Sequence, residues 1–293
     1  MLQANALLAL AAAVLWGGGD FAGGMGAKHS GSSVPGALRV VMTSHASSLL
    51  VLTIIGLLRG DALPHGAALG WSILSGAMGC LSVTMFYIAL SRGAMGASAA
   101  VSGLLAAAIP STVAIAHDGR PGWMTLVGFV IAGSAIWLIA AGENPEATPA
   151  SAGTMWLAVA SGAGFGIYFV ALKYAAAAGL VWPMATARLT SVLLGSTMVL
   201  GMALTAKDRG MRKIWLPKKA ILWGLATAFG DTTGNLLFMA ATRAGRLDVA
   251  SVLASLYPAS TILLAAWTLH ERPTRRQGIG MAIAAVAVIM ITL

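Results

Sequence analysis

Apolar residues run through this 293-residue chain in long blocks, broken by short clusters of Gly, Pro and charge. The blocks cover residues 4–24, 35–58, 68–90, 97–117, 122–141, 153–176, 182–204, 219–242, 248–269 and 277–293. Each is close to the roughly 20 residues that a helix needs to cross the hydrocarbon of a bilayer, so the pattern predicts an all-α membrane protein of about ten transmembrane helices. The first block has no basic stretch ahead of it and reads as a retained helix, not a cleaved signal peptide. Tryptophans support the boundaries, because indoles prefer the water–lipid interface. Trp71, Trp123, Trp156, Trp182, Trp215 and Trp223 lie near predicted starts, Trp137 and Trp267 near predicted ends, and Trp16 alone lies deep within a block.

Composition excludes a soluble fold. The chain is 58% hydrophobic and 9% charged, with a mean hydropathy of +0.84, whereas soluble domains carry about 25% charged residues. Its 36 glycines suit helices that pack closely in lipid. The net charge of +9 is concentrated between the blocks: Lys207, Arg209, Arg212, Lys213, Lys218 and Lys219 in one place, Arg272, Arg275 and Arg276 in another. Such loops contact anionic lipid and orient a membrane protein, so no nucleic-acid partner is expected. Cys80 is the one cysteine, which excludes an intrachain disulfide and a cysteine pair for a metal.

The stretch ENPEATPASAG, Glu143 to Gly153, divides the chain into a first unit, 1–142, a linker, 143–152, and a second unit, 153–293, each with five blocks. The units repeat one another. Arg39 stands opposite Arg188, Arg92 opposite Arg243, and Pro121 opposite Pro273, at offsets of 149, 151 and 152 residues. A weak internal repeat of this kind is a transporter signature, and an odd number of helices per unit requires the second unit to run inverted through the membrane.

On LWGGGDF in the first unit, FGIYFVALK ending at Lys173, the paired Arg39 and Arg188, and SLYPASTILLAAWTLHERPTRRQGIG near the end, the chain resembles the EamA family of the drug/metabolite transporter superfamily. The resemblance implies a ten-helix carrier of two inverted five-helix repeats with a central cavity, working by alternating access without ATP or any cofactor. The first unit departs from the family pattern in its HDGRP turn and in carrying an acid at Asp20.

Charges inside apolar blocks are costly and mark partners or pathways. Gly17, Gly19 and Ala22 around Asp20 mimic the spacing of a dinucleotide loop, but the strand and the water-facing helix that such a loop needs are missing. Asp20 is therefore an intramembrane acid. Trp16, Asp20 and Gly24 share a helical face, and Asp20 could bind a cationic group, carry a proton, or bond a neighbouring helix. Asp231 and Asn235, four apart, have Cys80 and Thr84 as their counterparts in the first unit, an asymmetry that suits a substrate contact. Arg39 and Arg188 could snorkel to the interface or clamp a carboxylate or phosphate. His45 stands about 120° round its helix from Arg39, and the ordinary pKa of an imidazole, about 6.5, would suit proton coupling; Tyr87 and Tyr257 could line the cavity.

Enzyme signatures are absent: there is no G-x-S-x-G, H-E-x-x-H, P-loop or D-D-x-x-D. The expectation is a secondary carrier, not an enzyme and without a metal, in the cell (inner) membrane. It would export a small metabolite such as an amino acid or related zwitterion, as a monomer or homodimer in the lipid bilayer, with proton coupling a candidate. Its rivals are a cationic or multidrug exporter and an intramembrane aspartyl enzyme. Loops after the odd-numbered blocks hold eleven basic residues against five on the other side, which places the termini outside by charge, whereas the family resemblance implies termini inside.

Overall fold

The computed structural model of the protein describes residues 3–30, 34–91, 95–140, 151–205, 216–268 and 273–292. Arg92, residues 143–150 of the linker, the basic residues from Lys207 to Lys213, Trp215 and Arg272 lie outside the described residues, as does the side chain of Tyr87.

Every apolar block is helical. The helices are α1 (Ala4–His29), α2 (Val34–Arg59), α3 (Gly66–Ser91), α4 (Met95–Asp118), α5 (Trp123–Ala140), α6 (Ala152–Ala175), α7 (Val181–Thr205), α8 (Lys218–Ala244), α9 (Leu247–Ala254), α10 (Tyr257–Thr268) and α11 (Arg275–Thr292). No strand occurs among the described residues. Eight stretches are long and apolar enough to cross a bilayer, and Trp123–Ile139 is a shorter apolar helix. α8 is 27 residues long and carries Asp231 and Asn235 at mid-length. Trp123, Trp156 and Trp267, near helix ends, are exposed.

One expectation is corrected. Residues 248–269 are not one helix: α9 stops at Ala254, two turn residues follow, and α10 starts at Tyr257. Pro258 has no amide hydrogen to give to the carbonyl of residue 254, and its ring crowds that carbonyl, so the helix is interrupted there. Pro110 lies inside α4 without breaking it.

Packing follows the exchange of the two units. α1 lies on α8 and α3 on α6; α2 faces α7 and α5 faces α11; α4 touches α6 and α9, while α1 touches α9 and α10. Swapping the units maps this set of pairings onto itself. Chain direction can be read at one end of the bundle. Gly245, just after α8, closes on Asn5 at the start of α1. Arg246, the next residue, donates to the carbonyl of Gly119 just past the end of α4 at 2.7 Å, and Asp118 pairs with Lys173 near the end of α6 at 3.2 Å. α1 thus begins at the end of the bundle where α6 finishes.

Glycines set the closest approaches. A Cβ on Gly230 of α8 would fall 2.7 Å from the Leu15 carbonyl oxygen and 2.8 Å from the Gly19 nitrogen of α1. With no side chain on either surface the two backbones meet directly, the arrangement by which lipid-embedded helices gain dispersion contact. Gly17 of α1 lies equally close to the α9–α10 break, a Cβ there falling 2.7 Å from the Tyr257 carbonyl oxygen. Ser260 and Thr261 of α10 donate to the carbonyls of Ala13 and Gly17 at 2.9 and 3.2 Å. α1 is therefore clamped between α8 and the interrupted helix along the turns that lead to Asp20.

Candidate functional site

The α1–α8 crossing sets Asp20 beside Asp231, because Gly19 and Gly230 are the residues in contact and each acid follows one of them. The Asp231 backbone nitrogen lies 3.0 Å from where a Cβ on Gly19 would stand. The surroundings of the two acids differ.

Asp20 is exposed, and among the described residues no hydrogen bond or ion pair reaches it. Its exposure is not to lipid. α1 turns its exposed apolar side chains Leu7 and Val14 to one side, and at about 100° per residue Asp20 stands roughly 120–140° round from them. It projects instead between buried Trp16, Gly17, Gly19 and Gly23. Gly24, one turn further along the same face, has open space where a Cβ would be. Asp20 is thus exposed on a side of α1 turned away from Leu7 and Val14.

Asp231 is held from several sides. Arg188 of α7 donates to one carboxylate oxygen and the Asn235 amide to the other at 3.0 Å. The same amide donates to the Asp231 carbonyl at 2.7 Å, and Tyr168 of α6 donates to the Asn235 side-chain oxygen at 2.7 Å. Arg188 is 4% exposed, so it does not snorkel to an interface. Its other terminal nitrogen lies 2.9 Å from Nε2 of His45, and a weaker contact of 3.4 Å reaches Thr232. Thr232 donates to Ser48 at 2.6 Å, which donates to the Ser44 carbonyl at 2.8 Å.

Hydrogen-bond direction fixes the state of His45. A guanidinium has donors and no acceptor, so Nε2 must accept and the ring proton sits on Nδ1, donated to Ser191 Oγ at 2.7 Å. His45 is therefore neutral here, and its 3.8 Å approach to Asp231 reflects a shared neighbour, Arg188, and not a charge pair.

Beneath this polar layer lies an aromatic one. Trp16 stacks on Phe169 at 5.2 Å with the rings 2° from parallel, Phe238 packs against both, and the indole covers Gly234 of α8. Trp16, expected as a plate beside Asp20, has one face occupied by Phe169. Asn235, expected to face the cavity, is 1% exposed: its amide is consumed in holding Asp231. Arg39 is partly buried in α2. The next residue, Val40, packs on Gly26, which puts Arg39 about 9 Å along α1 from Asp20. Tyr257 is partly buried at the start of α10. Ser191, Tyr168, Thr232 and Ser48 complete the network without having stood out in the sequence.

A second charged group sits at the end of the bundle where α1 begins. Asp248, 0% exposed, receives three bonds from Arg246 at 2.7–3.2 Å and one from its neighbour Val249 at 2.8 Å. Arg246 also caps the carbonyl end of α4. No group of three or more His, Cys, Asp or Glu side chains among the described residues could hold a metal ion.

A bundle of membrane-length helices, interrupted once, with an ionisable network buried at a helix crossing, defines a multi-pass membrane protein built around an internal polar site. Residues 152–293, α6 to α11, match the EamA-like transporter family. The resemblance seen in the sequence is borne out over those residues, and the match implies a membrane transporter of the drug/metabolite superfamily. A solved crystal structure aligns over 98% of this chain and 96% of its own length, with a TM-score of 0.76 at 16% identity. That likeness extends the fold to the first half. No curated protein matches the chain.

Proposed function

We propose that the protein is a secondary carrier, an exporter working by alternating access between two inverted repeats, and that its substrate is a small organic amine whose ammonium is held by Asp20. The observation that carries the reading is the Asp20 carboxylate itself: exposed, turned away from the apolar side chains Leu7 and Val14, and met by no cation among the described residues. An uncompensated intramembrane acid takes either a positively charged ligand or a proton. The closely packed α1–α8 crossing and the interrupted α9–α10 helix lie on either side of it, as in carriers whose sites form at broken helices near the middle of the membrane. The unit-exchange pairing and the opposite courses of α1 and α6 support the inverted repeat.

An amino acid or other zwitterion would also need a cation for its carboxylate. Arg188 is committed to Asp231 and His45, and Arg39 stands about two turns away along α1. The site's chemistry therefore favours an amine without an acidic group. Flux into proteoliposomes separates the readings. Counterflow of monoamines with no counterflow of amino acids is expected; uptake of amino acids in preference to amines would overturn the amine reading, and chemical change of the solute would point to an enzyme.

A further inference from the structure

The crossing holds two carboxylates and one guanidinium, and what the guanidinium does there is fixed by geometry. Arg188 is buried, and its terminal nitrogens are spent on Asp231, His45 Nε2 and Thr232. His45 contributes no charge, since its Nε2 accepts from Arg188 while Ser191 takes its Nδ1 proton. Asn235, Thr232 and Ser48 are neutral. An arginine side chain keeps its charge under all physiological conditions, so the pairing with Asp231 is permanent. Among the described residues, Asp20 remains as the single uncompensated charge at the crossing.

We infer that Arg188 is the specificity-determining residue of the site: by neutralising Asp231 it fits the crossing to a substrate with one positive charge, an organic monocation, and against a dication. The inference rests on the reading of Asp20 as the cation site. Asp231 is 31% exposed and, like Asp20, follows a glycine of the Gly19–Gly230 contact, so it would offer a second anionic contact if Arg188 were absent. A unit charge several ångströms from a bound cation, at an effective dielectric near 20, alters affinity on the order of tenfold or more. The charge on one buried arginine therefore decides which class of amine is carried.

The test uses the purified full-length protein and two permanently charged probes on the same six-carbon chain: hexyltrimethylammonium, with one charge, and hexamethonium, with two. Calorimetric titration of the wild type is expected to favour the monocation. Arg188→Gln should shift the ratio of the two affinities toward the dication by on the order of tenfold. Asp231→Asn should weaken the monocation by a similar factor although Asp20 is untouched, because Arg188 then opposes it. The double variant should return to the wild-type preference. An Arg188→Gln ratio equal to that of the wild type, or an Asp231→Asn affinity for the monocation equal to that of the wild type, would overturn the inference. Should Arg188→Gln alone fail to give a monodisperse protein, Asp231→Asn and the double variant carry the same test. Asp20→Asn separates the two levels of the account. Lost binding in Asp20→Asn with an unchanged charge preference in Arg188→Gln sinks only the role of Arg188; unchanged binding in Asp20→Asn, or a wild type that binds neither probe, sinks the Asp20 site and this inference with it.

Discussion

Arg188 and Asp231 join α7 to α8 in an ion pair whose guanidinium also donates, at 2.9 Å, to Nε2 of His45 on α2. Three helices from both halves of the chain thus meet on one cation, and Tyr168 brings in a fourth through Asn235. The terminal nitrogens of Arg188 are satisfied while its buried Nε has no hydrogen-bond partner among the described residues, and since unpaired polar groups in a low-dielectric interior are costly, further loss of partners here should be felt.

His45→Ala would leave a buried Arg188 donor without its acceptor. We expect a loss of about 1–2 kcal/mol, seen as a lower unfolding temperature in detergent. His45→Gln, which can present an oxygen toward Arg188, should recover part of it. Equal stability of the wild type and His45→Ala would contradict the assignment of Nε2 as an acceptor.

At the α1–α8 crossing the backbones leave no room for a methyl group on Gly230. Gly230→Ala should destabilise the protein by about 1–3 kcal/mol through overpacking. Gly24→Ala, on the same α1 face as Asp20 but with nothing within 4 Å of the added Cβ, should be neutral or slightly stabilising through helix propensity. Thermal unfolding of the two variants side by side checks the contrast.

Arg246 and Lys173 both form ion pairs at one end of the bundle, yet they should respond differently to loss of charge. Arg246→Gln strands the fully buried Asp248 carboxylate and should cost about 3 kcal/mol or more. Lys173→Gln removes a pair whose carboxylate side chain is 34% exposed and should cost about 0–1 kcal/mol. Similar losses in the two would contradict the burial assigned to Asp248.

Tyr168→Phe removes the hydroxyl that donates to Asn235. The expected cost is about 1 kcal/mol, in the range of interhelical bonds in lipid. Adding Asn235→Leu removes the unpaired amide oxygen but also the donor to Asp231, so stability should not return to the wild-type value. Wild-type stability in that double variant would mean that Asn235 has no part in holding Asp231.

Helix positions were legible because burial in lipid leaves long apolar blocks, and nine of the ten predicted blocks are single helices. The tenth, 248–269, looked continuous because Pro258 can be tolerated in a kinked helix, as Pro110 is in α4; whether the helix bends or stops depends on neighbours such as Gly17 that sequence does not place. Asp20 and Asp231 stood out as charges in apolar surroundings. Their partners did not: His45 and Ser191 lie 146 residues apart, a separation that periodicity cannot bridge. Tyr168 stood inside the FGIYFVALK stretch that carries the family resemblance, but its hydroxyl partner is on another helix. The i,i+4 spacing of Asp231 and Asn235 suggested a shared cavity face, when the contact it encodes is the amide's own bond to the carboxylate.

The central claim is that Asp20 binds the substrate's positive charge, and the most direct measurement is the affinity of n-hexylammonium for the wild type and for Asp20→Asn, by calorimetric titration of the purified protein. Asparagine keeps the size and a hydrogen-bonding oxygen while removing the charge. Binding is expected to weaken by about 1.5–3 kcal/mol, the worth of a charge-assisted hydrogen bond, with the unfolding temperature unchanged because no described partner of Asp20 is lost. Equal affinity in the two proteins would contradict it.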